Sequence, residues 1–299
     1  MLDHARKWGV AVETTFETES SVIAFGSRGA GPFESQPVVL KVIKREGDEW
    51  RSGEILHAFD GHGVARVYEH APGAVLLERL RPGKSLAEIA LSGRDEEATD
   101  ILAGIIQQMS MQMSMSRSET STADATVVTL WDWAKAFERY TPGGLQLAPD
   151  ATADDKVLKQ LVESAHRLYL NLCASQRESR LLHGDLQHYN VLFDSERGWL
   201  AIDPKGIIGE VEYEIGAILR NPIEQPELFT SRATVERRIK QLTGKLNLNR
   251  ERVLAWGFAQ AVLSALWDIE DGFTVDATHP ALRLALAIQP MLPSTIDVE

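Results

Sequence analysis

The chain has 299 residues, 44% of them hydrophobic, so it is long enough for two lobes and can fill their cores. Its formal net charge of −12, without a run of Lys or Arg, argues against nucleic acid or an anionic membrane surface as a partner, because like charges repel. No stretch of about 20 apolar residues suits a membrane span, and no signal peptide is evident. We therefore expect a cytoplasmic protein, which suits the lone Cys173. The sequence leaves the oligomeric state open.

The N-terminal part has the pattern of a small sheet. Segments 9–16, 21–26 and 37–44 are short, rich in Val, Ile and Thr, and separated by polar or glycine-rich turns, which predicts three antiparallel strands. Apolar residues at helical spacing predict a helix over 47–60, and a further pair of strands follows between 64 and 80. The glycines between the second and third strands are interpreted as a hairpin turn, since neither Lys-Ser/Thr nor a helix follows them as in a phosphate loop.

Beyond Gly83 the pattern changes to helix. Apolar residues recur at three- and four-residue steps over 85–93, 95–109 and 155–173, which predicts packed helices. Alternating methionines open the polar segment 109–129. We interpret this segment as a helix end running into a Ser/Thr-rich connection rather than as a metal-binding ladder.

The chemistry-bearing residues lie in a short polar loop between apolar segments, LLHGDLQHYNVLF at 181–193. The residues after Asn190 read as a hairpin whose return strand, WLAID, ends at Asp203, so these two residues should lie together. With Asp185 they offer two carboxylates and an amide oxygen, a set that suits Mg²⁺ because this ion prefers hard oxygen ligands. A zinc hydrolase is disfavoured, because no HExxH and no paired cysteines occur.

This loop also carries a resemblance to known enzymes. The motif His183-Gly184-Asp185, with an asparagine five residues after the aspartate, resembles the HxDxxxxN catalytic loop of the kinase superfamily. Residues 181–222 resemble more narrowly the aminoglycoside and hydroxyurea phosphotransferase family, the branch that includes streptomycin 6-kinases. The segments that carry the likeness are LLHGDLQHYNVL, WLAIDPKG and YEIGAILRNP.

The resemblance implies an α+β, two-lobed protein kinase-like fold. Residues 1–82 would form an N-terminal antiparallel sheet lobe with one helix, which binds the nucleotide. Residues 83–299 would form a larger, mostly helical C-terminal lobe with the catalytic loop and the substrate site. The implied activity is ATP- and Mg²⁺-dependent transfer of a phosphoryl group to a small-molecule hydroxyl, in the first place of an aminoglycoside of streptomycin type.

The resemblance also implies a task for each residue of the loop. Asp185 would be the catalytic base, or would orient the substrate hydroxyl as it attacks the γ-phosphate. Asn190 and Asp203 would hold Mg²⁺. Glu214, on the helix that follows, would support the loop from behind.

In the sheet lobe, Lys41 would contact the α- and β-phosphates of ATP. Glu54 on the following helix is the expected ion-pair partner that aims this lysine, and Glu49 is the nearby alternative. The first turn departs from the GxGxxG pattern of protein kinases. It carries Ser20 and Ser21, which we expect to meet the phosphates through hydroxyl and backbone N–H groups.

Adenine would lie between the lobes, near Glu78 and Leu80. An acceptor that carries guanidinium or ammonium groups would favour carboxylates and aromatic faces in the helical lobe. The candidate substrate residues are Asp132, Asp268, Glu270, Asp271 and Lys205.

Other activities stay open at this point. Hydroxyurea, a sugar or a choline-like metabolite are alternative acceptors, and a nucleotide-binding protein without turnover is an alternative of another class. A protein kinase is disfavoured, because Gly184 replaces the arginine of HRD and a helix follows Asp203 too soon to leave room for an activation loop.

Overall fold

The computed structural model of the chain describes residues 1–29, 35–116, 128–140, 153–276 and 278–293. The N-terminal part folds as a five-stranded antiparallel sheet with strand order β1-β2-β3-β5-β4. In chain order its elements are α1 (Leu2–Lys7), β1 (Val10–Glu17), β2 (Ser21–Gly29), β3 (Ser35–Ile43), α2 (Ser52–Ala58), β4 (Val67–Ala71) and β5 (Ala74–Glu78). The predicted order of three strands, a helix and two strands is therefore confirmed.

The alternation of side chains along β3 separates the two faces of this sheet. Val38 and Leu40 are fully buried on one face, where they pack with Trp8, the residue that follows α1. Val39 and Lys41 consequently face the other side, because successive side chains of a strand point in opposite directions. Helix α1 was not predicted, since six residues are too few to show a helical period.

The C-terminal part is mostly helical and surrounds α10, most of whose residues are buried. Its helices are α3 (Leu86–Leu91), α4 (Asp95–Ser116), α5 (Leu130–Glu138), α6 (Ala153–Ala174), α7 (Val211–Arg220), α8 (Pro226–Phe229), α9 (Arg232–Leu246), α10 (Arg250–Glu270) and α11 (Pro280–Ile288). The predicted combination of a sheet lobe and a larger helical lobe is confirmed. Of the proposed connection 109–129, the part at 117–127 lies outside the described residues.

Small strands carry the polar loop on this helical framework. They are β6 (Pro82–Ser85), β7 (Arg180–Leu182), β8 (Val191–Asp194), β9 (Gly198–Ala201) and β10 (Ile207–Gly209). Strands β8 and β9 form the predicted hairpin, and β6 pairs with β8. A division of the chain after residue 82 stays a prediction. Among the described helices, none has the length and apolar character needed to cross a bilayer.

Candidate active site

The polar loop begins with a buried histidine that ties it to the hairpin. His183 Nε2 lies 2.8 Å from the carbonyl oxygen of Ile202, and the backbone N–H of Asp185 donates to His183 Nδ1 at 3.3 Å. We therefore assign the proton to Nε2. Burial lowers the pKa of His183, which keeps the ring neutral. The imidazole thus fixes the start of the loop against the strand that leads to Asp203.

Glu214 of α7 holds the loop from below, as the resemblance implied. Its buried carboxylate accepts hydrogen bonds from the backbone N–H groups of His183 at 2.8 Å, Gly184 at 3.1 Å and Leu186 at 3.3 Å. Burial raises the pKa of Glu214 to about 7, although these three donors favour the charged form. The side chain satisfies backbone groups that would otherwise be buried without acceptors.

Both carboxylate oxygens of Asp185 are contacted. Asn190 Nδ2 donates to Asp185 Oδ2 at 3.3 Å and to its carbonyl oxygen at 3.0 Å. Arg220, the last residue of α7, places Nη2 3.5 Å from Asp185 Oδ1. Sequence reasoning missed Arg220, and the only available signal was its place in the segment YEIGAILRNP. The plane of the Asp185 carboxylate is therefore fixed from two sides.

The hairpin brings Asp203 back to the loop as predicted. The backbone N–H of Ile202 donates to the carbonyl oxygen of Asn190 at 2.9 Å, which continues the ladder of β8 and β9. Asp203 itself has φ of 56°, in the left-handed region that is uncommon for residues other than glycine. The short segment after it packs against α2: a Cβ at Gly206, which has φ of 76°, would lie 2.5 Å from Ile55 Cγ1. The loop that carries Asp203 is thus locked against the sheet lobe.

Lys41 connects the two lobes. Its Nζ lies 2.9 Å from Asp203 Oδ1 and 2.7 Å from Glu49 Oε2, and the side chain is only 4% exposed. Burial alone would lower the pKa of Lys41, but the two carboxylates outweigh it and raise the pKa above its ordinary value. The lysine is therefore a firmly charged group at the inner end of the cleft.

The expectation that Glu54 is the ion-pair partner of Lys41 is corrected by this geometry. Glu54 accepts from Arg51 Nε at 2.8 Å and from a second guanidinium nitrogen of the same arginine. Glu49, named as the alternative, makes the contact with Lys41. The reason is that α2 begins only at Ser52, so Glu49 lies in the preceding turn, beside β3. The sequence pattern predicted that the helix begins at residue 47, so both Glu49 and Glu54 were expected to lie on it.

An apolar cleft of about 280 Å³ lies between the lobes, next to Lys41 and Asp203. The side chains that line it include Ile23, Val39, Leu77, Leu80, Leu192 and Ile202. Glu78 also borders the cleft, but its carboxylate binds Arg197 and accepts from the backbone N–H of Arg66 at 2.7 Å. The structure thus places Leu80 and Glu78 at the cleft, with the Glu78 side chain engaged elsewhere.

Ser20 lies in the turn between β1 and β2, Ser21 is the first residue of β2, and neither is among the residues that line this cleft. Ser21 is buried, and its hydroxyl lies 2.9 Å from Thr18 Oγ1. The carbonyl oxygen of Ser20 accepts from the backbone N–H of Lys44 at 2.8 Å. These contacts close the turn, and a role of the two serines in phosphate binding stays a prediction.

Three of the four acids chosen as substrate residues already have side-chain partners. Asp132 caps α5 with Thr129, and its bonds to Lys135 and Thr129 lower its pKa to about 2. The sequence signal was Thr-x-x-Asp before an apolar helix, a capping pattern. Asp268 lies 3.2 Å from His279 Nε2, Glu270 binds Arg139 through both oxygens at 2.7 Å, and Asp271 ends α10.

Lys205 lies nearer to the loop than these acids. Its backbone N–H donates to the carbonyl oxygen of His183 at 3.0 Å. Its Nζ lies 5.0 Å from the ring centroid of Trp267, 6.0 Å from that of Trp133 and 3.6 Å from Asp48 Oδ2. This is cation–π geometry, with a carboxylate of the sheet lobe above it.

The oxygen atoms at the centre of the site are suitable ligands for a hard divalent cation. Asn190 uses Nδ2 toward Asp185, and no described residue donates to its Oδ1. Asp203 binds Lys41 through Oδ1 and is partly exposed to the cleft. An amide oxygen and a carboxylate, with room for water and phosphate oxygens, fit Mg²⁺ rather than zinc.

A sheet lobe and a helical lobe that bring a buried lysine, an Asp–Asn loop and a second aspartate to one cleft define a kinase-like phosphotransferase. Residues 7–272 match the family described as "Aminoglycoside/hydroxyurea antibiotic resistance kinase". The chain belongs to this family.

Three proteins of named activity are similar to the chain over most of its length. The chain is 35% identical to the streptomycin 3''-kinase of Klebsiella pneumoniae over 239 residues, which are 79% of this chain and 81% of that protein. It is 30% identical to the hydroxyurea phosphotransferase of Kitasatospora aureofaciens over 287 residues, 88% of this chain and 74% of that protein. It is also 30% identical to the streptomycin 6-kinase of Streptomyces griseus over 236 residues, 78% and 71% of the two chains.

Solved structures of low identity share the fold. A thermostable mutant of aminoglycoside phosphotransferase APH(4)-Ia, in ternary complex with ADP and hygromycin B, has a TM-score of 0.62 at 15% identity and covers 96% of this chain and 97% of its own. The choline kinase LicA of Streptococcus pneumoniae has a TM-score of 0.57 at 13% identity, with 96% and 95% coverage. The kinase-like fold expected from the sequence is thereby confirmed.

Proposed function

We propose that the protein transfers the γ-phosphoryl group of ATP to a hydroxyl of an aminoglycoside of streptomycin type, with Mg²⁺ in the cleft. The observation that carries this proposal is the contact between Lys41 Nζ and Asp203 Oδ1 at 2.9 Å, because it joins the two lobes beside the Asp185 loop. The streptomycin 3''- and 6-kinases among the relatives carry this acceptor class in their names. We also propose that the reaction takes place in the cytoplasm, where ATP is available.

The cleft offers apolar surface for a flat base and charge for the phosphates. Adenine would pack between Val39 of the sheet lobe and Leu192 of the helical lobe, near the Leu80 backbone. The phosphates would then extend toward Lys41, whose permanent charge stabilises phosphate oxygens. Since the cleft is mostly apolar, this electrostatic contact acts in a medium where it is stronger than in water.

Asp185 would accept, or orient, the proton of the substrate hydroxyl. Phosphoryl transfer needs little covalent help from the protein, so positioning and electrostatics supply most of the catalysis. The contacts of Asn190 and Arg220 fix the carboxylate plane, and the Glu214 carboxylate fixes the backbone beneath it. The hydroxyl therefore meets an acceptor that is already in place.

Asn190 Oδ1 and the Asp203 carboxylate would hold Mg²⁺, which when bound neutralises charge on the phosphate oxygens and orients them. Lys41 keeps Asp203 in position for this from the sheet lobe. His183 does so from the helical lobe, through its bond to the carbonyl of Ile202.

The acceptor would enter beside Lys205 and the tryptophans. Trp267 is half-buried and packs edge-on against Trp133, and Asp268 and Glu270 follow it on α10. An aromatic face next to carboxylates suits a guanidinium group. Asp132, Asp268, Glu270 and Asp271 remain proposed substrate residues on this ground, and Lys205 remains one because its backbone is bonded to the polar loop at His183.

The acceptor is tested by a phosphotransfer screen with streptomycin, other aminoglycosides, hydroxyurea, choline and sugars, with the product identified by mass. We expect streptomycin to gain one phosphoryl group, and the position of the new phosphate distinguishes the 3'' from the 6 hydroxyl. Hydroxyurea is the second candidate, because a relative that matches over 287 residues is a hydroxyurea phosphotransferase. Phosphorylation of that compound alone would replace the proposed acceptor.

Turnover is tested by Asp185→Asn, which keeps the size of the side chain and removes its charge. We expect ATP to bind the variant and the parent with similar Kd, while kcat falls about 100-fold or more. Equal kcat in the two proteins would remove Asp185 from the mechanism. No turnover in the parent with any acceptor, together with tight ATP binding, would favour a binding protein.

A further inference from the structure

Arg220 is a charged residue beside the proposed catalytic carboxylate that no sequence motif assigns. Its guanidinium lies 3.5 Å from Asp185 Oδ1 through Nη2, and Nη1 donates to Gln260 Oε1 at 3.2 Å. The side chain is only 17% exposed. The fork of the guanidinium therefore joins the polar loop to α10.

Gln260 is held so that it can receive this arginine. It is 3% exposed, and its Nε2 donates to the carbonyl oxygen of Tyr213 at 3.3 Å, which leaves Oε1 for Arg220. Its side chain lies directly on α7 at Gly216, where a Cβ would overlap the Gln260 amide oxygen. Only glycine at this position lets α10 approach closely enough to orient the arginine.

The two oxygens of the Asp185 carboxylate are contacted by residues of different elements. Asn190 holds Oδ2 from within the loop, and Arg220 holds Oδ1 from the helix framework. A carboxylate held at both oxygens by groups on different elements cannot rotate about its last bond without losing one contact. With the loop contact alone, the same rotation would cost only one hydrogen bond.

We propose that Arg220 is a positioning residue for phosphoryl transfer, which fixes the Asp185 carboxylate through a guanidinium that Gln260 orients and Gly216 makes room for. This inference rests on the proposed function, because it assigns a task to a neighbour of the acceptor site. A cation at the end of a helix also stabilises the helix by itself, so the test must separate position from stability.

The test compares Arg220→Gln and Arg220→Lys with the control Arg180→Gln. Arg180 is similarly buried, at 20% exposed, and its ion pair with Glu178 measures 2.9 Å, but it lines a cavity with Asn247 and Leu248 that includes neither Asp185 nor Arg220. We expect Arg220→Gln to lower kcat about 10- to 100-fold at unchanged KM for ATP, since small misplacements of catalytic groups have effects of this size. Arg220→Lys should have a higher kcat than Arg220→Gln but a lower one than the parent, because lysine keeps the charge but lacks the paired donors of a guanidinium group.

Two further measurements exclude a purely structural role. Added guanidinium ion should raise kcat of Arg220→Ala and leave the control unchanged. Gln260→Met should lower kcat in the parent but have no further effect on Arg220→Gln, because the two residues act in series. The inference is overturned if Arg220→Gln keeps the parent kcat, or if it loses activity only in proportion to a fall in Tm that Arg180→Gln shares.

Failure of the proposed function is recognised separately. If the parent phosphorylates no acceptor of the panel, that function fails, and the positioning claim is decided by crystal structures of the parent and Arg220→Gln. A changed Asp185 rotamer in the variant supports the claim, and an unchanged rotamer overturns it.

Discussion

Lys41 Nζ lies 2.7 Å from Glu49 Oε2, whereas Glu54, on the helix that follows, is bound by Arg51. The two glutamates therefore form a matched pair for mutation. We expect Glu49→Gln to lower kcat/KM for ATP about 10- to 100-fold, because Lys41 loses one of its two carboxylates and moves. Glu54→Gln should stay near the parent. Steady-state kinetics with varied ATP decide between them, and a larger loss for Glu54→Gln would refute the assignment.

Asn190 should set the requirement for Mg²⁺. We expect Asn190→Ala to raise the Mg²⁺ concentration needed for half-maximal rate about tenfold or more. Mutation of a residue that only hydrogen-bonds to a metal ligand already weakens metal binding by about this factor, so loss of a ligand should do at least as much. Asn171→Ala, at an exposed position, is the control. EDTA should abolish the activity of both Asn190→Ala and Asn171→Ala. An unchanged Mg²⁺ dependence in Asn190→Ala would exclude a ligand role for the amide.

The fold should depend on the buried pair of Arg238 and Asp95. Arg238 is fully buried, and its guanidinium binds Asp95 and the carbonyl oxygens of Ile218 and Asn221 at 2.9 and 2.8 Å. Arg238→Met leaves the Asp95 carboxylate without its main partner, and removing one member of a buried pair costs about 3–5 kcal/mol. Denaturant unfolding measures this loss.

The exposed pair of Arg232 and Glu236, spaced i,i+4 on α9, is the control for Arg238. Arg232→Met should change the free energy of unfolding by less than about 0.5 kcal/mol, because exposed pairs are screened by water. Similar losses for the two variants would show that burial does not distinguish them.

His188 should make the protein sensitive to acid. It is fully buried, neither ring nitrogen has a hydrogen-bond partner among the described residues, and burial together with the charge of Arg238 lowers its pKa to about 3. Below the ordinary pKa of about 6.5, the unfolded chain binds a proton that the folded chain does not, so stability falls as the pH falls through this window. Each such proton accounts for up to about 1.36 kcal/mol per pH unit.

We expect His188→Leu to reduce this slope by about one proton between pH 6 and pH 4. It should not lower stability at pH 7.5, since an apolar side chain leaves no unpaired nitrogen in the interior. Urea unfolding at several pH values measures both effects. The exposed His57→Leu is the control, and an unchanged slope in His188→Leu would show that this histidine is hydrated in the folded protein.

Sequence patterns correctly predicted the positions of residues that are fixed by local backbone geometry. Asp185 and Asn190 lie in one short loop, and a hairpin of fixed register returns the chain to Asp203, so their proximity follows from local geometry. Strand alternation likewise places Lys41 on the face opposite Leu40. Such relations depend on few residues and on regular backbone.

Residues whose roles depend on contacts between distant elements could not be predicted. The choice between Glu49 and Glu54 depends on where α2 begins, and helix boundaries are poorly defined by sequence pattern. Arg220 meets both Asp185 and Gln260, and its contact with Gln260 depends on the close approach of α7 and α10 at Gly216. No pattern of residues along the sequence indicates how closely these two helices approach each other.

The contact of Gly206 with Ile55 limits how new acceptor specificities can be obtained in the laboratory. Libraries that randomise position 206 would force α2 away from the loop that carries Asp203 and yield mostly inactive clones, whatever the acceptor. Diversity is better directed to positions around Trp267, which border the proposed acceptor entrance and leave the contact between the lobes unchanged.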